Sequence, residues 1–183
     1  MKNETTKLRF VNSLYELAKT TPIDKITVKQ ISENCGLTSQ TFYNHFPDKF
    51  ELTLWAYKCR VDKLFEEYRD GEIDWHGFLV GFIKGYESNS KFIMNAFKNT
   101  HGADSYLTKS AAYLSDHMKK EIIFYKGKYA LDSELEYLVH GYVCAVLNII
   151  AMWIDSNKSI EEDVMVGILS DVMPPKLSCI FAP

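Results

Sequence analysis

The sequence has little that would build a β-sheet, a disulfide framework or a secretion signal. In 183 residues the one β-branched run is KITV at 25–28, beside a helix start. The four cysteines form no CxxC pair and have no histidine at the spacing of a zinc motif; they are Cys35, Cys59, Cys144 and Cys179. The N-terminal MKNETTKLRF lacks the apolar core of a signal peptide. We therefore expect a cytoplasmic chain with reduced thiols and without a metal or cofactor.

Catalytic motifs and strong charge are missing as well. The sequence contains no GxSxG, HExxH, P-loop or Rossmann fingerprint, so an enzyme is the weakest of the function classes. The net charge is only −3, but its distribution is uneven. Residues 1–50 hold seven Lys and Arg against five Asp and Glu, whereas residues 51–183 hold fourteen against nineteen. The excess of basic residues therefore lies in the first 50 residues. Because the whole-chain charge is small, a binding partner has to be inferred from local patterns of residues.

Helical periodicity covers nearly the whole chain and predicts an all-α fold of about nine helices. The first helix is expected over about residues 4–19, with an inner face of Leu8, Val11, Leu14 or Tyr15, and Ala18. The last two helices are expected to start at Asp132 or Ser133 and at Ser159, which would form a capping box with Glu162. The tail MPPKLSCIFAP is expected to be a loosely packed extension.

Two short helices joined by a glycine turn are predicted near the N-terminus. Thr27 is placed to cap VKQISENC, Gly36 ends that helix, and Thr38 caps SQTFYNHF. Pro47 ends the second short helix, and Asp48 opens a longer one that runs to about Arg69. The lengths and the turn chemistry are typical of a helix-turn-helix.

The second short helix divides into an apolar and a polar face. Phe42 and Phe46 are four residues apart and define the face that packs on the preceding helices. The opposite face carries small hydrogen-bonding side chains, Gln40, Thr41 and Asn44. Tyr43 and His45 lie on the flanks, where they would meet the two phosphate walls of a DNA major groove. Helix N-termini at Thr27 and Thr38, and a cation at Lys49 that the helix dipole disfavours, would also suit phosphate.

Residues 27–52, TVKQISENCGLTSQTFYNHFPDKFEL, resemble the DNA-binding segment of the TetR family of transcriptional regulators. The resemblance lies in the Gly turn, the Thr/Ser cap, the Tyr-x-His-Phe run and the Lys three residues after that Phe. It implies a DNA-binding domain at 1–50 and a dimerisation and effector domain at 51–183. It also implies phosphate contacts by Thr27, Lys29, Tyr43, His45 and Lys49. Base-reading positions by the same resemblance are Ser39, Gln40, Thr41 and Asn44, with Thr38 at the helix cap.

Two positions depart from the family's pattern. Gln40 stands where a small residue or Pro is common, and Phe50 stands where Glu is common. Neither departure is expected to change the fold, but Gln40 is expected to alter the preferred DNA sequence.

The most apolar stretch, LVHGYVCAVLNIIAMWI at 138–154, is shorter than the roughly 20 residues that span a membrane. We expect a buried or interface helix there. The resemblance implies a two-fold dimer whose last two helices pair with those of the partner. Gly141 and Ala145 would allow close helix approach, Asn148 would fix the register, and Met152 would complete the interface. An internal core helix is the alternative.

No motif in the sequence identifies the effector. Ten aromatic residues could line an apolar pocket, but such residues more often form plain core; they are Trp75, Phe78, Phe82, Tyr86, Phe92, Phe97, Tyr106, Tyr113, Phe124 and Tyr142. The segment MWIDSNKSIEEDV resembles that of regulators of dihydroxyacetone-kinase operons, some of which activate transcription with a kinase-like co-regulator. Three functions stay open: a repressor released by a small ligand, an activator that works with a protein partner, and an enzyme or small-molecule carrier.

Overall fold

The computed structural model describes residues 2–182, and within that range the chain is all-helical, with no strand. Ten α-helices follow in order: α1 (Lys2–Leu17), α2 (Val28–Asn34), α3 (Ser39–Tyr43), α4 (Lys49–Arg69), α5 (Trp75–Glu87), α6 (Ser90–Lys98), α7 (Tyr106–Lys126), α8 (Ser133–Asp155), α9 (Glu162–Asp171) and α10 (Pro175–Phe181). Single 3₁₀ turns lie at Gly102–Asp104 and Lys128–Ala130. The predicted all-α class is confirmed.

The tenth helix corrects the prediction for the C-terminal tail. Residues predicted to be a loose extension form α10, with Pro175 in its first turn, where a missing N–H is tolerated. Leu177 and Phe181 of this helix are buried. Burial of these apolar side chains stabilises the packing of the tail against the core. A helix of seven residues is too short for its hydrophobic periodicity to be recognised in the sequence.

Two smaller predictions were also wrong. Ser159 does not cap α9: its hydroxyl contacts that of Ser156, and the helix begins after Glu161 without a side-chain cap. Leu8 is 49% exposed, and Phe10 takes the inner position of α1 instead. Val11, Leu14 and Ala18 are buried as predicted. At about 100° per residue, Leu8 lies about 120° around the helix from Leu14 and Phe10 only about 40°, so Phe10 and not Leu8 shares the buried face.

The described residues form two compact units. Unit 1 extends to Cys59 and includes Asn89–Thr108, so α1, α2 and α3 pack in the same unit as α6. Unit 2 contains Arg60–Ser88 and the chain from Lys109 onward, with α5 packed on α8 and α9. These units reflect packing, and the functional boundary expected at residue 50 stays a prediction.

Helix α8 is long and apolar enough to cross a membrane by length and composition. In its most apolar window, 44% of the residues are buried inside the chain. Core helices of soluble proteins have the same composition, so this property alone does not argue for a membrane. The pair α9 and α10 meets the same measure only when taken together, across a bend of 115°.

Candidate nucleic-acid interface

The turn between α2 and α3 has the predicted geometry. Gly36 has a φ of +67°, a conformation that costs other residues free energy but not glycine. The amide of Gly36 donates to the Glu33 carbonyl at 3.0 Å, and that of Leu37 donates to the Ser32 carbonyl at 2.9 Å. These bonds satisfy the last carbonyls of α2 and aim the chain at the start of α3.

Both short helices are capped as expected. The Thr38 hydroxyl accepts a bond from the Thr41 amide at 3.1 Å. At α2, the hydroxyl of Thr27 accepts from the Gln30 amide while the Gln30 side chain accepts from the Thr27 amide at 2.8 Å. This reciprocal capping box uses the amide of Thr27 itself. Gln30 was not predicted as the capping partner of Thr27, although the Thr-x-x-Gln spacing is that of a capping box.

The inner face of α3 is fixed by aromatic packing. Phe42 is fully buried, and its ring lies 5.1 Å from Phe10 and 5.7 Å from Phe46. Phe46 in turn lies 5.9 Å from Trp55 on α4. The predicted stripe of Phe42 and Phe46 therefore anchors α3 to α1 and α4, and this contact sets which residues face outward.

The outer face of α3 carries the predicted base-reading residues. Gln40 and Asn44 are exposed, whereas Ser39 and Thr41 are half-buried. The Gln40 Nε2 donates to the Asn44 Oδ1 at 3.2 Å, so the two amides form one unit on the surface. The Thr41 hydroxyl lies 2.9 Å from that of Thr38, which draws it towards the cap. The strip is narrow and contains no Lys or Glu.

The flanking residues divide by exposure. Tyr43 is 56% exposed, with its ring packed edge-on against Phe42. His45 is half-buried, with its ring 6.4 Å from that of Phe10. Lys29 is exposed and forms an i,i+4 ion pair with Glu33 at 3.8 Å. Such a surface pair is weak and would exchange readily for a phosphate.

Lys49 has intramolecular partners that the sequence did not indicate. Its ammonium donates to the carbonyls of Asp24 at 2.8 Å and Ile26 at 2.6 Å. Partial burial lowers the pKa of Lys49, and the nearby carboxylates of Asp24 and Asp48 oppose that shift. The two carbonyls offset the unfavourable helix dipole at the start of α4, and the same bonds hold the chain that leads into α2.

Two further residues hold this region together and were not predicted. Arg9 donates to the Cys35 carbonyl at 2.6 Å, which ties α1 to the turn. Asn95 on α6 accepts from the Ile23 amide at 2.8 Å and donates to the carbonyls of Ala18 and Thr21, each at 2.7 Å. One amide side chain thus satisfies three backbone groups between α1 and α2. These bonds join residues that are more than 70 positions apart, so no local sequence pattern could predict them.

The outward side of α8 carries the residues predicted for a dimer interface. Met152 is 71% exposed, Gly141 and Asn148 are exposed, and Ala145 is half-buried. Asn148 donates to the Cys144 carbonyl of its own helix at 2.7 Å. Tyr137, 80% exposed, extends this apolar stripe. The opposite side of the helix is buried through Val139, Val143, Val146, Leu147 and Ile150.

No contact among the described residues explains the glycine on the outward side of α8. A Cβ added at Gly141 meets nothing within 4 Å, and the same holds for Gly167 on α9. Glycine inside a helix costs about 1 kcal/mol relative to alanine. By contrast, a Cβ at Gly81 would lie 2.6 Å from the Leu64 Cδ2, so glycine there makes room for the Leu64 side chain inside unit 2.

The interior of unit 2 is filled with aromatic rings. Trp75 and Phe78 stack at 4.7 Å, and Phe82 continues the series at 6.0 Å from Phe78. A cavity of about 580 Å³ lies at the end of this series, beside Tyr68, Trp75, Tyr125 and Phe181. Burial is the main cause that raises the pKa of Tyr68 to about 12, so this phenol is neutral and donates to the Phe181 carbonyl at 2.9 Å. Of the ten aromatic residues considered for a pocket, Trp75 is the one that lines this cavity.

Comparisons with known proteins give a match to the C-terminal region and a match to the fold. A TetR-type family model described as "Transcriptional regulator C-terminal region" matches residues 74–174, more than half of the chain. The structure is similar to that of a protein titled "Dihydroxyacetone kinase operon activator DhaS", with a TM-score of 0.66 over 97% of this chain and 98% of the other. The two sequences are 16% identical, so this likeness shows the fold alone. The search of curated proteins found no match.

Proposed function

Because the chain belongs to the TetR family of transcriptional regulators, we propose that it binds a palindromic operator as a homodimer in the cytoplasm and that an effector controls this binding. The observation that carries the proposal is the outward face of α3, where the exposed amides of Gln40 and Asn44 stand between Tyr43 and His45. That order of groups matches base edges between two phosphate walls.

Base reading is assigned to Gln40 and Asn44, with Ser39 and Thr41 beside them. The mutual hydrogen bond of the two amides leaves the Gln40 Oε1 as an acceptor and the Asn44 Nδ2 as a donor towards solvent. An acceptor and a donor side by side complement the N6 and N7 edge of adenine. The two amides therefore act together on one or two base pairs.

Phosphate binding is assigned to the residues around this strip. Tyr43 and Lys29 are exposed, and His45 is half-buried on the other flank. Thr27 and Thr38 present the N-terminal turns of α2 and α3 to the backbone of DNA. Lys49 holds the Asp24 and Ile26 carbonyls and so acts first by positioning α2; any phosphate contact uses its remaining N–H.

Dimerisation is assigned to the stripe of Tyr137, Gly141, Ala145, Asn148 and Met152. A large exposed apolar side chain and an unexplained glycine on one helix face are typical of a surface that a second helix covers. The dimer would place two α3 helices about 34 to 36 Å apart, one turn of DNA.

A second candidate is a transcriptional activator that works with a protein partner. It is favoured by the fold match to a protein titled as an operon activator over nearly the full length of both chains. Either mechanism requires the same DNA and dimer surfaces. The two differ in what the effector is, a small molecule or a kinase-like protein.

The test is binding of the purified protein to its own upstream DNA at several salt concentrations. Lys29→Ala should reduce the salt slope by about 0.9 per lost phosphate contact, or about 1.8 for a dimer. Lys63→Ala is the matched control, because Lys63 is also an exposed lysine in an i,i+4 pair, with Glu67 at 3.4 Å. Gln40→Ala should change the preferred base at one position. Equal, weak binding to specific and random DNA would refute the proposal.

Transcription from an operator selected in vitro separates the two mechanisms. Repression by the protein alone supports the repressor. Activation that appears only when a protein fraction is added supports the activator.

A further inference from the structure

A histidine and a cysteine stand together beside the small residues of the α8 stripe. His140 and Cys144 are one helical turn apart, and the His140 Nε2 lies 3.6 Å from the Cys144 Sγ. His140 is exposed and Cys144 is half-buried. Gly141 and Ala145 each follow one of the two residues by one position, or about 100° around α8, so the pair lies on the flank of the stripe that is nearer to α7.

The imidazole is held on its other side by α7. The His140 Nδ1 lies 3.5 Å from the hydroxyl of Ser115, which is buried. An Nδ1–H directed at this oxygen leaves the lone pair of Nε2 facing the thiol. Histidines that bind zinc are held in this way, with the second ring nitrogen donating to a neighbouring oxygen.

The spacing between the two atoms also fits a metal. Zinc binds thiolate sulfur at about 2.3 Å and histidine nitrogen at about 2.0 to 2.1 Å. At a tetrahedral angle these bond lengths place nitrogen and sulfur about 3.6 Å apart. The two side chains therefore already stand at the separation of two corners of a zinc tetrahedron.

One chain supplies only half of such a site. In the part of the chain that the structure describes, no group of three or more His, Cys, Asp or Glu side chains is placed to hold a metal ion. A two-fold axis repeats every contact, so a pair that lies near the axis is completed by the same pair from the partner. Two histidines and two cysteines are a common ligand set of structural zinc.

We propose that the two His140–Cys144 pairs of the dimer bind one divalent zinc ion between the subunits. The proposal rests on the dimer of the proposed function. Binding deprotonates both Cys144 thiols, releases two protons to solvent and leaves the oxidation states unchanged. Because the ion binds the dimer and not the separated chains, free zinc at about 100 times its dissociation constant should tighten the dimer about 100-fold.

The test uses the full-length protein, dialysed against ZnCl₂ or CoCl₂ and freed of unbound metal. We expect one zinc per two chains by elemental analysis, and the visible absorption of tetrahedral cobalt thiolate with Co²⁺. Cys144→Ser and His140→Gln should each abolish the metal and the absorption. Cys179→Ser is the matched control, because Cys179 is an exposed thiol on α10, and it should bind metal like the unmodified protein.

Molecular mass in solution, measured with zinc and with a chelator, separates this inference from the proposed function. A dimer that takes up no metal, one metal per chain, or metal retained by Cys144→Ser would refute the zinc site and leave the dimer standing. A chain that stays monomeric in both conditions would refute the dimer and the site together.

Discussion

The outward faces of α3 and α8 differ in chemistry although both are exposed. The α3 face is short and polar, and its Gln40 and Asn44 amides form a hydrogen bond with each other. The α8 face is long and apolar, with Tyr137 and Met152 extended into solvent and Gly141 between them. A polar face loses little in water and gains specificity from a partner with its own donors and acceptors. An apolar face gains most from simple burial, which suits a permanent partner such as a second copy.

The largest effect is expected from a change that removes the packing of α3 and leaves the α8 face intact. Phe42→Ala deletes a fully buried ring beneath α3, and such a change costs about 3 to 5 kcal/mol. We expect loss of DNA binding and a lower-temperature unfolding transition for unit 1, while the molecular mass of the dimer is unchanged. Circular dichroism and light scattering measure the two properties. If the dimer dissociates as well, the faces are not independent.

A charge on the α8 face should dissociate the proposed dimer and leave unit 1 folded. Met152→Asp would place an unpaired carboxylate in the dimer interface, at a cost of about 3 kcal/mol or more, which corresponds to over 100-fold in the dimer dissociation constant. The fold of unit 1 should be unaffected. Sedimentation measures the association. Tyr129→Asp is the control, because Tyr129 is 95% exposed and lies outside the α8 stripe, so this variant should stay dimeric.

The support of α2 and α3 by α6 can be tested at Asn95. Asn95→Ala leaves the Ile23 amide and the carbonyls of Ala18 and Thr21 without this partner, at about 1 to 3 kcal/mol. We expect lower stability of unit 1 and weaker binding to every DNA sequence. Asn99→Ala is the matched control, since the Nδ2 of Asn99, the C-cap residue of α6, donates to the carbonyl and the Oδ1 of Asn95 at 3.0 Å. Equal effects of the two changes would show that Asn95 acts only inside its own helix.

Local chemistry explains what the sequence could predict of the candidate interface. Thr27, Gly36 and Thr38 act within four residues of their own positions, through caps and a turn that only certain residues satisfy. The spacing of Phe42 and Phe46 likewise fixes one face of α3 from five consecutive residues. The fold class follows from the same short-range periodicity.

Long-range contacts explain what the sequence could not predict. Lys49 bonds to carbonyls 23 and 25 residues away, and a lysine that holds backbone oxygens has the same local sequence as one that faces solvent. The burial of α10 depends on the space left by the other helices of unit 2. Cys144 was predicted to be a reduced thiol outside any metal site, because its spacing to a histidine matches no zinc motif, and the proposed site arises only when a second chain is considered. The DNA-contact and dimer residues themselves stay predictions.

The smallest expected effect is that of one hydroxyl at the edge of the α3 face. Tyr43 is exposed and its ring packs on Phe42, so Tyr43→Phe keeps the ring contact and the fold while it removes the proposed phosphate donor. We expect DNA affinity to fall by about 0.5 to 1.5 kcal/mol for each lost bond, equally for all sequences. The salt slope should not change, because no charge is removed, and this distinguishes Tyr43→Phe from Lys29→Ala. Titrations of specific and random DNA at two salt concentrations measure both quantities. A change in the preferred sequence would instead place Tyr43 against a base edge and extend the base-reading strip to the flank of α3.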